Sequence, residues 1–254
     1  MVNKDNRIFR HNGGFPNAFL FYCSWTYSCL TIKKYYPNLH LVTDSKGVEL
    51  FKNVLQLPYV TFSNALDDLK DYHKGAWALG KLYTYQQQQE PFCHIDGDVF
   101  FFGPILKELE NKSIFCQSFD HNGIQYSEMH PYVHANFRDV PKAFEGDLSD
   151  TIKYFNVGII GGSDIDLFQE YTAAAFRLID QNQDKLDTIN VTLFNLYYEQ
   201  FLLSNVIAQR QKEVACLFSE PDRECTHNFA AFHEIPNGSN YICLLYTSPS
   251  PRDS

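Results

Sequence analysis

Positive charge is in short supply in this chain. Against 30 aspartates and glutamates stand 21 lysines and arginines, a formal net charge of −9. The cations are scattered and form no basic stripe, so nucleic acid is not an expected partner. Apolar runs long enough to span a bilayer are missing, and no transmembrane segment is expected. The opening stretch MVNKDNRIFRHNGG lacks the apolar centre of a signal peptide. The expected compartment is therefore the cytoplasm, where thiols stay reduced. The seven cysteines include no CxxC pair. Cys23, Cys29, Cys93, Cys116 and Cys216 lie among apolar residues and read as small buried hydrophobes. Cys225, His227 and His233 fit no zinc spacing. There is no internal repeat, and the Gln86–Gln89 run reads as a solvated helix end.

What is present is a chain of 254 residues, 44% hydrophobic, enough to build a sizeable core. AFLFYCSW reads as a first strand, and TYSCLTIKKYY as a helix stopped by Pro37. LHLVTD is a strand, KGVELFKNVLQL a helix, YVTF a strand and ALDDLKDY a short helix or loop. A helix is expected from Ala76 to about Gln89, before Pro91 opens a strand through FCHIDGDVFFF; IFCQSFD is the next strand. Strands alternating with helices predict an α/β fold with a mostly parallel central sheet. Regularity fails between Asp120 and Asp150, where a long loop carrying His121, His130 and His134 is expected. Order resumes with the strand YFNVGIIGG, a helix capped by Ser163, and the long apolar helix NVTLFNLYYEQFLLSNVIAQ. One domain is expected over residues 1–242. CLLYTSPSPRDS, residues 243–254, resembles a translated sequencing adaptor, so the natural protein is expected to continue past Ile242.

FCHIDGDVFFF places two carboxylates inside an apolar run, where unpaired charge is costly. Asp-Gly between apolar runs is a hairpin signal. In an extended chain, however, Asp96 and Asp98 point the same way with Cα atoms roughly 6.5–7 Å apart. Gly97 between them permits a bend and the close approach of a ligand. Two hard oxygen donors at a strand end suit Mg²⁺ or Mn²⁺ completed by phosphate oxygens. Ligands of open α/β sheets collect at the carboxyl ends of the strands.

A strand entering Asp-x-Asp after a helix of the form WALGKLYTY resembles the core of GT-A fold, nucleotide-sugar-dependent glycosyltransferases. The glycogenin and bacterial galactosyltransferase-like groups are the nearest in style, together with uncharacterised bacterial domains of that type. YFNVGIIGG is similar to the strand that lines their sugar pocket, through Asn156 and Gly158. YYEQFLLSNVI is similar to the helix that turns an acid–glutamine pair toward the reaction centre, here Glu199 and Gln200. The ordered pattern spans roughly Phe19 to Ile207. The resemblance implies a nucleotide-sugar donor, a divalent metal at Asp96 and Asp98, and an acceptor of unknown kind. It also implies a C-terminal histidine segment, for which His227 and His233 are imperfect matches.

The residues support parts of this by themselves. On a helical wheel Glu199 and Gln200 fall on the stripe of Leu193, Leu196, Leu203, Val206 and Ile207. A carboxylate there needs a cavity, a ligand or an ordinary ion-pair partner. Asn156 inside an apolar strand also needs partners. Asp44 could bond the nucleoside or cap the next helix. Lys81 could neutralise diphosphate charge or simply be solvated, and His94 reads as packing or as support for the metal ligands. Two other functions remain open: a sugar- or nucleotide-binding relative without turnover, and an Asp-x-Asp phosphohydrolase. The latter normally carries its acids on the first strand.

Overall fold

The computed structural model describes residues 15, 17–121, 123–146, 148, 152–218 and 241–243. Cys225, His227, His233 and the tail beyond Cys243 lie outside the described residues. The chain divides into two compact units. The first gathers residues 1–64, 95–107 and 226–254, and the second residues 65–94 and 108–225. Both mix helix and strand.

The first unit opens with helix α1 (Ala18–Lys33), capped by the Asn17 side chain on the Leu20 N–H. The sequence reading made its first half a strand, and the structure corrects that. AFLFYCSW is apolar around the whole helix, so periodicity cannot separate a buried strand from a helix. What favours the helix is its row of hydroxyls. Ser24 donates to the Gly97 carbonyl, Thr31 accepts from the Phe101 N–H, and Tyr35, just past the helix, donates to the Phe102 carbonyl. One of these bonds reaches strand β4 (Val99–Phe101) itself, and the other two the residues flanking it. β4 pairs antiparallel with β8 (Tyr241–Cys243). Strands β1 (His40–Val42) and β2 (Thr61–Ser63) pair in parallel, joined through α2 (Ser45–Val48) and a π-helical turn, Glu49–Val54. Cys29, Leu41, Phe51 and Leu57 are buried together, with Trp25 and Phe62 packed against them.

The second unit is built on a four-stranded sheet in the order β3, β6, β5, β7 (Phe92–Ile95, Tyr154–Gly162, Phe115–Asp120, Ala215–Cys216). β5 runs antiparallel to β6 and parallel to β7. The sheet is thus mixed, because the segment between β5 and β6 returns the chain along the same edge without a parallel crossover. Gly161 is required here: a Cβ on it would lie 2.1 Å from the Phe92 carbonyl oxygen. Helices α3 (Leu79–Gln86), α5 (Ile165–Asp180), α6 (Val191–Leu196) and α7 (Leu202–Gln209) belong to this unit. α5 buries Leu167, Phe168, Tyr171, Ala175, Phe176 and Ile179 along one side, an amphipathic stripe. Its cap is Asp164, accepting from the Leu167 N–H, and not Ser163. The expected loop after Asp120 contains helix α4 (Met129–Asn136), which buries Met129 and Val133. Among the described residues, no helix is long and apolar enough to cross a membrane.

Candidate functional site

The candidate residues divide between the units. Asp44, Asp96, Gly97 and Asp98 belong to the first; Lys81, Asn156, Gly158, Glu199 and Gln200 belong to the second.

β3 ends at Ile95, and the chain turns at once: the Val99 N–H donates to the Asp96 carbonyl at 3.2 Å, closing a four-residue turn. The extended geometry expected for Asp96 and Asp98 is replaced by this turn, for which Asp-Gly is well suited. Asp98 is 4% exposed and Asp96 half-buried. The missing side chain of Gly97 makes room for Trp25. The Gly97 carbonyl accepts from Ser24, and a Cβ on that residue would stand 2.3 Å from the Trp25 indole. Two carboxylate side chains on one turn are a hard-oxygen donor set of the kind Mg²⁺ or Mn²⁺ takes alongside water and phosphate oxygens. No cluster of three or more His, Cys, Asp or Glu side chains able to hold a metal forms among the described residues. A cation on this turn would therefore depend on non-protein oxygens. Asp44 caps α2, accepting from the Gly47 N–H at 2.6 Å.

In the second unit, the helix carrying Glu199 and Gln200 widens into a π-helical turn over Tyr197–Phe201, a distortion common at functional sites. Glu199 is 1% exposed, and its Oε1 lies 3.1 Å from Lys81 Nζ on α3. Lys81 in turn lies over the Trp77 ring, 5.7 Å from its centroid. The two residues that the sequence assigned to separate tasks thus form one ion pair. Burial, and then the Glu199 charge, hold the Tyr171 and Tyr198 phenols well above the ordinary tyrosine range. Tyr171 donates to the Glu199 backbone carbonyl at 2.8 Å. Gln200 Oε1 accepts from Tyr126 at 3.2 Å.

Asn195, which sequence reasoning left off the functional face, sets this geometry. It is fully buried. Its Oδ1 accepts from the Ala78 N–H, and its Nδ2 donates to the Gly75 and Val191 carbonyls. One amide thereby ties the start of α3, with Lys81 one turn on, to α6 and the Glu199 turn. A buried asparagine one helical turn before a buried acid was the available sequence signal.

Asn156 lies on β6, where the pairing with β5 slips. Cys116 faces Ile160 and Ser118 faces Asn156, so β6 carries extra residues in a bulge. Within the bulge the Gly158 N–H donates to Asn156 Oδ1 at 3.0 Å. The loop histidines are held in place: His130 bonds Tyr197 Oη at 2.9 Å, and His134 donates to the Phe144 carbonyl. His94 packs edge-on against Tyr85. Of the cysteines, Cys29 and Cys116 are buried free thiols as expected, whereas Cys23 and Cys93 are free and exposed.

A comparison with curated proteins gives no match. A comparison with protein families matches residues 2–250, and the chain belongs to the DUF6734 family, a family of unknown function.

Proposed function

We propose that this protein is a metal-dependent glycosyltransferase acting on a nucleotide-diphosphosugar, with a GT-A-like arrangement of its α/β elements and a cytoplasmic location. The observation that carries the reading is the Asp-Gly-Asp turn at the carboxyl end of sheet strand β3, with Asp98 nearly enclosed. Asp96 and Asp98 would hold Mn²⁺ or Mg²⁺. When bound, such an ion stabilises negative charge on a departing diphosphate as a Lewis acid. Asn156, Gly158 and Gln200 are assigned to the sugar. Glu199 is enclosed by its own unit and salt-bridged to Lys81, so its role becomes the fixing of that ammonium. Lys81, the more exposed of the pair, is the group available to a phosphate. Asp44 keeps its helix cap and stays assigned to the nucleoside.

A second reading is a relative that binds the same donor without turnover. It is favoured by the 1% exposure of Glu199, since the acid at the position tied to catalysis by resemblance is not open to an acceptor.

Thermal shift with UDP-, GDP- and CMP-sugars, with and without Mn²⁺, tests the proposal through binding linkage. Stabilisation requiring both metal and nucleotide, lost in Asp98→Asn while the ligand-free melting temperature is kept, supports it. A flat response across the panel would refute it. Donor hydrolysis or transfer by the same preparation decides between the two readings.

A further inference from the structure

Helix α1 turns small hydroxyls inward and large apolar side chains outward, the reverse of an ordinary surface helix. The residues it buries are Ser24, Ser28, Cys29 and Ile32. Its exposed side carries Phe19, Leu20, Cys23, Tyr27 and Leu30. At 100° per residue these five fall within one stripe about 100° wide. The helix that bears them has 16 residues, a length of about 24 Å. Phe19 is 72% exposed, Leu20 42%, and Tyr27 and Leu30 50% each. Tyr27 leans on Phe100 and Phe102, with ring centroids 5.2 and 6.5 Å away. No charged residue occurs between Ala18 and Ile32, in a chain whose formal net charge is −9. Single exposed apolar residues are ordinary, but a continuous stripe of them marks a surface that a partner covers.

We infer that this stripe is the contact through which two copies of the chain pair, α1 against α1 about a twofold axis. The inference does not depend on the function proposed above. Laid antiparallel on itself, the stripe sets Leu20 against Leu30 of the second copy and Cys23 against its Tyr27. One uncharged surface thus serves both sides, as a twofold contact requires. Two chains of net charge −9 repel each other, and an uncharged face is where their approach costs least. The area suffices. With about 150–250 Å² for each ring and somewhat less for each leucine, the exposed fractions amount to roughly 500 Å² a copy. Two copies would cover about 1,000 Å², the lower limit for a specific interface. A lipid surface fits less well. Interfacial helices carry lysine and arginine opposite their apolar face. Here the opposite side holds Ser24, Ser28 and Cys29 and is packed within the unit. The net negative charge also repels anionic headgroups.

Sedimentation velocity of the full chain from about 1 to 100 μM brackets the affinity of an interface at that size limit. A concentration-dependent species of twice the chain's mass is expected. In the antiparallel pairing the two Cys23 residues lie about 6 Å apart along the helix axis, so a short bismaleimide should link the copies, and Cys23→Ser should abolish the link. Leu20→Glu and Leu30→Lys change exposed positions and should keep the parent's melting temperature. Each should weaken pairing on the order of a hundredfold, because each change enters the contact twice. An equimolar mixture of the two variants should pair again, since they then meet with opposite charges. A chain that stays monomeric over that range overturns the inference: flotation with phosphatidylglycerol vesicles would then give the stripe to a membrane, and a Cys23 that resists maleimide would give it to another part of the same chain. A dimer that both charge variants leave intact, or that Cys23→Ser leaves linked as before, overturns it as well.

Discussion

Lys81 Nζ stands 3.1 Å from Glu199 Oε1, and the two ends of the pair meet solvent unequally: the lysine side chain is 18% exposed, the glutamate 1%. An enclosed carboxylate depends on its cation, because removing one partner of a buried pair leaves an uncompensated charge. Lys81→Met is therefore expected to cost roughly 3 kcal/mol of stability at neutral pH. Glu199→Gln in the same background should recover most of the loss. Urea denaturation at neutral pH checks this; additive effects of the two substitutions would mean that the pair is not coupled.

Asn195 is the anchor behind that pair. Asn195→Ala would strand the Ala78 N–H and the Gly75 carbonyl in a buried setting. A cost of about 3 kcal/mol is expected, one unit of desolvation penalty for each orphaned group. Asn195→Asp should restore the acceptor for Ala78 but not the donors, and should fall between alanine and the parent. Equal stability of all three proteins by chemical denaturation would show that α3 is positioned by packing alone.

How far the sequence revealed this arrangement depended on whether the signal was local. Strands such as YFNVGIIGG are apolar over a fixed length and were legible, as was the core-facing place of Glu199 from its 100° spacing. Helix α1 was not, because AFLFYCSW is apolar all round and its helical state rests on Ser24 and Thr31 bonding β4 and the turn before it, 70 or more residues away. The direction of β5 against β6 was equally hidden, since an alternating pattern does not encode which way a chain returns. Glu199 was seen to need a partner and Lys81 a purpose. That each was the answer to the other required tertiary contact between residues 118 positions apart.

Gly97 is held to glycine by Trp25. The turn that carries Asp96 and Asp98 is therefore braced by an indole, and Gly97→Ala drives a methyl group into the ring. Overpacking of this kind costs about 1–3 kcal/mol. Trp25→Leu should make alanine at 97 easier to accept, so the double variant is expected to be more stable than the sum of the single effects. If Mn²⁺ is gripped on this turn, Gly97→Ala should also weaken Mn²⁺-dependent nucleotide stabilisation. Strict additivity in a thermal-denaturation cycle would mean that the contact does not constrain the turn.

Asp164 separates a cap from a charge. Its carboxylate accepts from the Leu167 N–H at the start of α5 and lies 2.7 Å from Lys212 Nζ and 3.8 Å from Arg210 Nη1. Burial works to raise its pKa, but the Lys212 and Leu167 bonds and the two nearby cations together hold it below the ordinary aspartate value. A depressed carboxyl contributes stability above the unfolded pKa, near 3.9, and loses it as pH falls through the lower folded value. Asp164→Asn keeps a side-chain oxygen for the cap, so it removes the charge alone. The pair is partly open to solvent, which limits the expected loss at pH 7 to about 0.5–1 kcal/mol. The gap between variant and parent should close as the parent's carboxyl is protonated, and vanish near pH 2. Paired urea titrations at pH 7, 4 and 2 read it directly, and a gap that persists undiminished at pH 2 would assign the effect to the cap geometry and not to the ion pairs.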